Sequence, residues 1–221
     1  MIFGSTNVSR IVYALVSIVI LISEVMLQYT CQVVLVKEVK RIQKTTLLVY
    51  YSKTGNTEKV ALAIKEGLEA AGFNVVKKRI EEAEDLDFLE YDLVCVGTPT
   101  YEWHPPPAMD DFLKKKHNRY CKEGKIKLNA PKIPGKKALV FCTYAGPHTG
   151  INEVVPVGKY IGQFFEHLGF TVIDEWYVLC EYRGWNEGNT IGRMGDIRGK
   201  PSQEDLFKIK KDAEQLGQKI T

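Results

Sequence analysis

Little in this chain is arranged for metal or disulfide chemistry. The five cysteines, Cys31, Cys95, Cys121, Cys142 and Cys180, contain no C-x-x-C pair, and an odd number does not suit a disulfide framework. Cys95 and Cys142 stand in apolar, strand-like runs, where cysteine behaves as a small buried hydrophobe. A reducing cytosol fits this usage, and iron–sulfur ligation has no support. The four histidines, at 104, 117, 148 and 167, show no metal-ligand spacing, so no metal site is expected. A large excess of charge of either sign is lacking as well. The net charge is +3, of which +2 falls in residues 1–43, where Arg10, Lys37, Lys40 and Arg41 oppose Glu24 and Glu38. The near-neutral remainder speaks against nucleic-acid binding. No internal repeat or low-complexity stretch is present, and no Ser-His-Asp or Cys-His arrangement marks a catalytic nucleophile.

What is present falls into two parts, a hydrophobic segment over 1–43 and a domain over 44–221. Ile11 to Ser23 is apolar apart from two serines. It is shorter than the roughly 20 residues that cross a bilayer as a helix. Extension to Val36 takes in Glu24, Gln28 and Gln32, and a glutamate near mid-span is costly. The segment reads as a membrane anchor over 11–36, or as an extension from an early start codon, with Met26 a later candidate. As an anchor, its cluster Lys37, Lys40, Arg41 and Lys44 outweighs Arg10 and leaves the domain in the cytoplasm.

From Thr45 the pattern alternates strand-like runs with amphipathic helices. Strands are expected at 45–51, 73–76, 91–97, 136–143 and 170–179, the second near an edge and the third central. Helices are expected over 57–71, closed by Gly72; around Met109, Phe112 and Leu113; over 157–168, closed by Gly169; and from Ser202, with Asp205 at capping-box distance. Glu81–Glu90 is acidic and weakly periodic, enough for a short helix only. Five strands separated by helices predict a parallel sheet covered on both faces. Two connections, Lys114–Pro134 and Cys180–Pro201, are longer than crossovers need and read as functional or partner-facing. The basic run from Lys114 to Lys127 reads as a solvated helix end and loop, or as a dock for an acidic partner or lipid headgroups.

The first strand runs into Ser52-Lys53-Thr54-Gly55-Asn56-Thr57. Hydroxyl and amide side chains around one glycine, just before a helix N-terminus, suit a phosphate, because backbone N–H groups and the helix dipole converge there. The spacing is neither that of a P-loop nor the dinucleotide Gly-x-Gly-x-x-Gly fingerprint. The plainer alternative is a polar loop in which Thr57 caps the helix.

Ser-Lys-Thr-Gly-Asn-Thr preceded by Leu-Leu-Val-Tyr-Tyr resembles the signature of the flavodoxin family, over roughly residues 44–221. That resemblance implies a doubly wound five-stranded parallel sheet of order 2-1-3-4-5 and FMN as cofactor, its phosphate on Ser52–Thr57. The loops after strands one and three then meet at the topological switch point. Thr98-Pro99-Thr100-Tyr101-Glu102-Trp103 would hold the isoalloxazine ring, with Tyr101 or Trp103 stacked on it. Thr143-Tyr144-Ala145-Gly146, with His148 two residues on, matches the family's second ring loop, and Tyr144 is another stacking candidate. The stretch Tyr182–Asn189, rich in glycine, asparagine and aromatics, lies near the flavin or at an oligomer contact. The implied function is electron transfer between redox partner proteins. The alternative is an NAD(P)H-dependent FMN quinone reductase, and a flavin-free interaction module is a third class. Flavodoxins of the carrier type are strongly acidic, which this domain is not. The oligomeric state is left open.

Overall fold

The computed structural model describes residues 5–38 and 44–220. It divides into two compact units, 1–43 and 44–221. The first holds one helix, α1 (Ser5–Glu38), 34 residues long. Its large apolar side chains at Val12, Tyr13 and from Leu15 to Tyr29 are exposed. Among the described residues, no helix is long and apolar enough to cross a membrane. Lys40 and Arg41 of the basic cluster lie outside the described residues.

In the second unit, β1 (Thr45–Tyr50), β2 (Asn74–Arg79), β3 (Leu93–Pro99), β4 (Lys137–Tyr144) and β5 (Thr171–Leu179) form one sheet of order β2-β1-β3-β4-β5. Every neighbouring pair is parallel, and β3 is central as expected. Side chains alternate across a strand, so successive β1 residues serve opposite layers. Leu47 and Val49 join the core under α3 (Pro107–Lys122) and α4 (Val155–His167). Leu48 and Tyr50 join the core under α2 (Asn56–Ala70) and α6 (Gln203–Ile220). The short α5 (Asn186–Thr190) lies in the β5–α6 connection.

The helix boundaries follow local chemistry. Gly72 and Gly169 adopt positive φ just past α2 and α4, as C′ glycines do. Before α6 the Ser202 amide donates to Asp205 Oδ2 (2.7 Å) while the Asp205 amide donates to Ser202 Oγ (3.2 Å), a reciprocal cap. Glycine also lets α2 and α6 touch: a Cβ at Gly67 would meet the Lys210 carbonyl oxygen at 2.2 Å. The β2–β3 crossover holds only single 3-10 turns, Ile80–Glu82 and Phe88–Glu90.

One expectation is corrected. The connection from Lys114 is not loop at its start, because α3 continues to Lys122. Phe112, Lys116 and Tyr120 follow at i, i+4, i+8 on the buried face, so a lysine occupies a core position of the helical repeat. Its neighbours do stand at the solvated surface, in exposed pairs: Lys114 with Asp110 and Lys115 with Glu84, each at 2.6 Å, and Arg119 with Glu123 at 2.8 Å.

Candidate functional site

The loops leaving β1, β3 and β4 meet at the carboxyl end of the sheet, where strand order reverses between β1 and β3. They enclose a cleft of about 210 Å³. The first loop supplies Ser52, Lys53, Thr54, Asn56 and Thr57 to its wall. Gly55 sits at φ 92° as the N-cap of α2, a conformation that any side chain would strain. Its amide donates to Ser52 Oγ (3.1 Å), and its carbonyl accepts from the Lys59 amide (3.0 Å). The other first-turn amides of α2 have no intrahelical acceptor and carry the positive end of the dipole. The alternative role for Thr57, as the cap, does not hold. Thr57 lies inside the helix, buried, and its Oγ1 is 2.8 Å from Thr143 Oγ1, tying the first loop to the end of β4.

After β3, Pro99, Thr100 and Tyr101 line the cleft. The Thr100 amide donates to the Thr143 carbonyl (2.9 Å), which fixes this loop against β4. Tyr101 and His104 exchange both backbone hydrogen bonds at 2.9 Å around Glu102 (φ 46°) and Trp103 (φ 64°). Two successive non-glycine residues with positive φ form a turn of the I′ kind that carries local strain. The turn directs the chain back, so Glu102 and Trp103 are not in the cleft wall, and Trp103 is 59% exposed. Burial raises the Tyr101 phenol above its usual range, with the nearby Tyr51 and Tyr182 hydroxyls adding to the effect.

From the β4 loop, Thr143, Tyr144 and Ala145 reach the cleft, and Tyr144 is buried. Gly146 and His148 do not, and Thr98 lies beneath the floor, fully buried with its hydroxyl donating to the Pro99 carbonyl at 3.2 Å. The His148 ring packs 6.0 Å from Trp185 instead.

A fourth wall, Cys180, Glu181, Tyr182 and Arg183, is absent from the sequence-based site. The Cys180 amide donates to the Tyr144 carbonyl (2.8 Å), and Asn56 Nδ2 donates to the Glu181 carbonyl (3.0 Å). Asn189, buried, accepts from the Tyr182 amide and donates to the Tyr182 carbonyl, both at 2.7 Å. Only the glycine, asparagine and aromatic content of 182–189 hinted at this role. The Cys180 thiol is pushed up to about 12 by burial, so it stays protonated and is no nucleophile at ordinary pH.

Whether a flavin phosphate and ring suit this cleft is testable on its polar atoms. Among the described residues, three buried side-chain atoms have no hydrogen-bond partner: Thr46 Oγ1, Asn56 Oδ1 and Thr100 Oγ1. Two of these, Asn56 Oδ1 and Thr100 Oγ1, belong to residues of the cleft wall but are closed to the cleft itself, so a side-chain rotation would be needed for a ligand to meet them. Hydroxyls, helix amides, Lys53 and Arg183 match an anion, and Pro99, Tyr101, Tyr144 and Tyr182 match a planar ring.

Fold and cleft together define a doubly wound α/β protein with a cleft at its switch point whose lining suits an anion and a planar ring. The sequence profile of the family "Flavodoxin" matches residues 48–211. The chain belongs to the flavodoxin family, whose cofactor is FMN. It is 31% identical to a flavodoxin of Clostridium saccharobutylicum, over 58% of this chain and 82% of that one. It is 27% identical to an NAD(P)H dehydrogenase (quinone) of Paraburkholderia phymatum, over 72% of this chain and 88% of that one. Oxidised flavodoxin 2 of Bacillus cereus superimposes with a TM-score of 0.57 at 19% identity, covering 80% of this chain and 99% of that one, a likeness of fold.

Proposed function

We propose that the protein binds FMN in the switch-point cleft and transfers electrons between redox partners. The observation that carries this reading is the convergence in one cleft of the Ser52–Thr57 loop, at the N-terminus of α2, with the loops that follow β3 and β4. Ser52, Lys53, Thr54, Gly55, Asn56 and Thr57 would hold the phosphate. Pro99, Thr100, Tyr101, Tyr144 and Ala145 would hold the ring, with Tyr101 and Tyr144 better placed to stack than Trp103. Bound FMN supplies one- and two-electron redox chemistry. The chain's own residues bind it, orient it and shield one part of it from water.

A second reading, an NAD(P)H-dependent quinone reductase, is favoured by a specific feature. Charged residues of the cleft wall are Lys53, Arg183 and Glu181, and the Glu181 carboxylate is already engaged by the Gly199 amide at 2.8 Å. A wall of this sign favours negative charge on a bound ligand, unlike the acidic surroundings of a carrier. The alignment with the Paraburkholderia quinone dehydrogenase also spans more of this chain than the Clostridium flavodoxin does.

Purified full-length protein is expected to be yellow, or to become so with FMN. A protein that stays colourless and cannot be reconstituted would refute the flavin assignment. Rapid bleaching on addition of NADH or NADPH would select the reductase; bleaching only with a separate reductase would select the carrier.

We further propose that residues 1–43 are a segment distinct from the 44–221 domain. In this reading 11–36 associates with a membrane and leaves the domain on the cytoplasmic side. Support comes from the exposed apolar side chains of α1, which need a hydrophobic partner.

A further inference from the structure

Arg79 ends β2 and stands in register with Tyr50, which ends β1 two residues before Ser52, the first residue of the anion loop. Its guanidinium donates through Nη2 to the Ser52 carbonyl oxygen at 2.9 Å. The head group is held on several sides. It lies 5.6 Å from the Tyr50 ring centroid, Nε is 3.6 Å from Glu81 Oε2, and Nη1 is 4.0 Å from Glu58 Oε2. Glu58 is itself anchored, because the Tyr50 hydroxyl donates to its Oε1 at 2.6 Å.

A carbonyl is the wrong group to present to an anion. In a trans peptide the C=O and the following N–H point in opposite directions. Holding the Ser52 oxygen toward Arg79, which is outside the cleft wall, therefore sends the Lys53 N–H away from Arg79, in a loop whose Ser52, Lys53 and Thr54 line the cleft. The same contact places a permanent positive charge one peptide away from the anion site.

We propose that Arg79 is a positioning residue for the phosphate of the cofactor, setting the Ser52–Lys53 peptide so that its amide serves the anion and adding charge behind it. This rests on the FMN assignment above. The sequence motif ends at Thr57, and Arg79 lies on a different strand, so no spacing within the loop reports it.

The test compares FMN with riboflavin, which shares the ring and lacks the phosphate, by fluorescence titration of full-length wild type, Arg79→Met, Arg79→Gln and Arg79→Lys. The expected result is an FMN affinity about tenfold or more lower in Arg79→Met, the size of a lost charge-assisted bond. Riboflavin affinity should be unchanged. Arg79→Gln keeps a donor without charge and Arg79→Lys a charge without the planar fork, so both should fall between. A purely structural role would weaken both ligands together, and an unchanged FMN-to-riboflavin ratio would overturn the proposal. Should Arg79→Met fail to fold, the ratio in the glutamine and lysine variants decides. Wild type binding neither ligand would overturn the FMN assignment itself and this inference with it.

Discussion

Asn189 carries more of the cleft than its position in a surface connection suggests. Both ends of its amide bond the Tyr182 backbone, and its own carbonyl accepts from the Ile197 amide at 2.8 Å. Replacing it by alanine would leave the part-buried Tyr182 amide and carbonyl without their partner. Asn189→Ala should cost about 2 kcal/mol in urea unfolding. It should also weaken FMN binding, since Glu181, Tyr182 and Arg183 lose their fixed backbone. Unaltered stability with unaltered binding would show that the connection is held by other contacts. At this scale the first loop was legible because phosphate chemistry is local: a glycine, hydroxyls and a helix start within six residues. The fourth wall was not. Cys180 reaches the cleft by pairing with Tyr144 and Glu181 by pairing with Lys200, contacts that leave no periodic trace. Glu102 and Trp103 stand outside the cleft wall because the turn reversing the chain uses positive φ at residues that do not advertise it.

Most elements followed from pattern; α3 and β2 ran past their expected ends, and α5 was not expected. Strand positions were readable because apolar runs of five to seven residues between turn signals leave few alternatives. Helix α3 outran its expected end because Lys116 reads as polar while acting as core. Its Nζ donates to the Glu84 carbonyl at 2.8 Å and to the Leu86 carbonyl, pinning the β2–β3 crossover to the helix. It also lies 5.1 Å from the Phe88 ring centroid. The carbonyls and the ring favour the ammonium, yet burial outweighs them and lowers the lysine to about 8. Between pH 8 and the unfolded value of 10.5, the unfolded chain holds a proton that the folded chain has released. Stability due to this residue therefore rises with pH across that window and is smallest below it. The stability difference between wild type and Lys116→Met, followed by denaturant unfolding from pH 7 to pH 10, should move in favour of wild type. A flat difference would mean that Lys116 keeps its proton throughout.

For the whole molecule, the division at residue 43 separates a folded domain from a helix whose described apolar side chains are exposed. Full-length protein should sediment with membranes and resist extraction by high salt while yielding to detergent. Recovery in the soluble fraction would refute the anchoring role. The near-neutral charge of the chain was plain from composition, but which charges line the cleft was not, because Lys53 and Arg183 are brought together only by the finished sheet.

The tight seam between α2 and α6 bears on the order of events during synthesis. The anion loop and α2 are among the first parts of the domain to be made, and α6 is the last. At roughly 5–20 residues per second, many seconds separate them. Until α6 arrives, the face of α2 around Gly67 is exposed and the loop at its N-terminus rests on a helix covered on one side only. Cofactor capture by a seated loop thus belongs after α6 has been made and packed against α2, and the nascent domain must pass that interval without it.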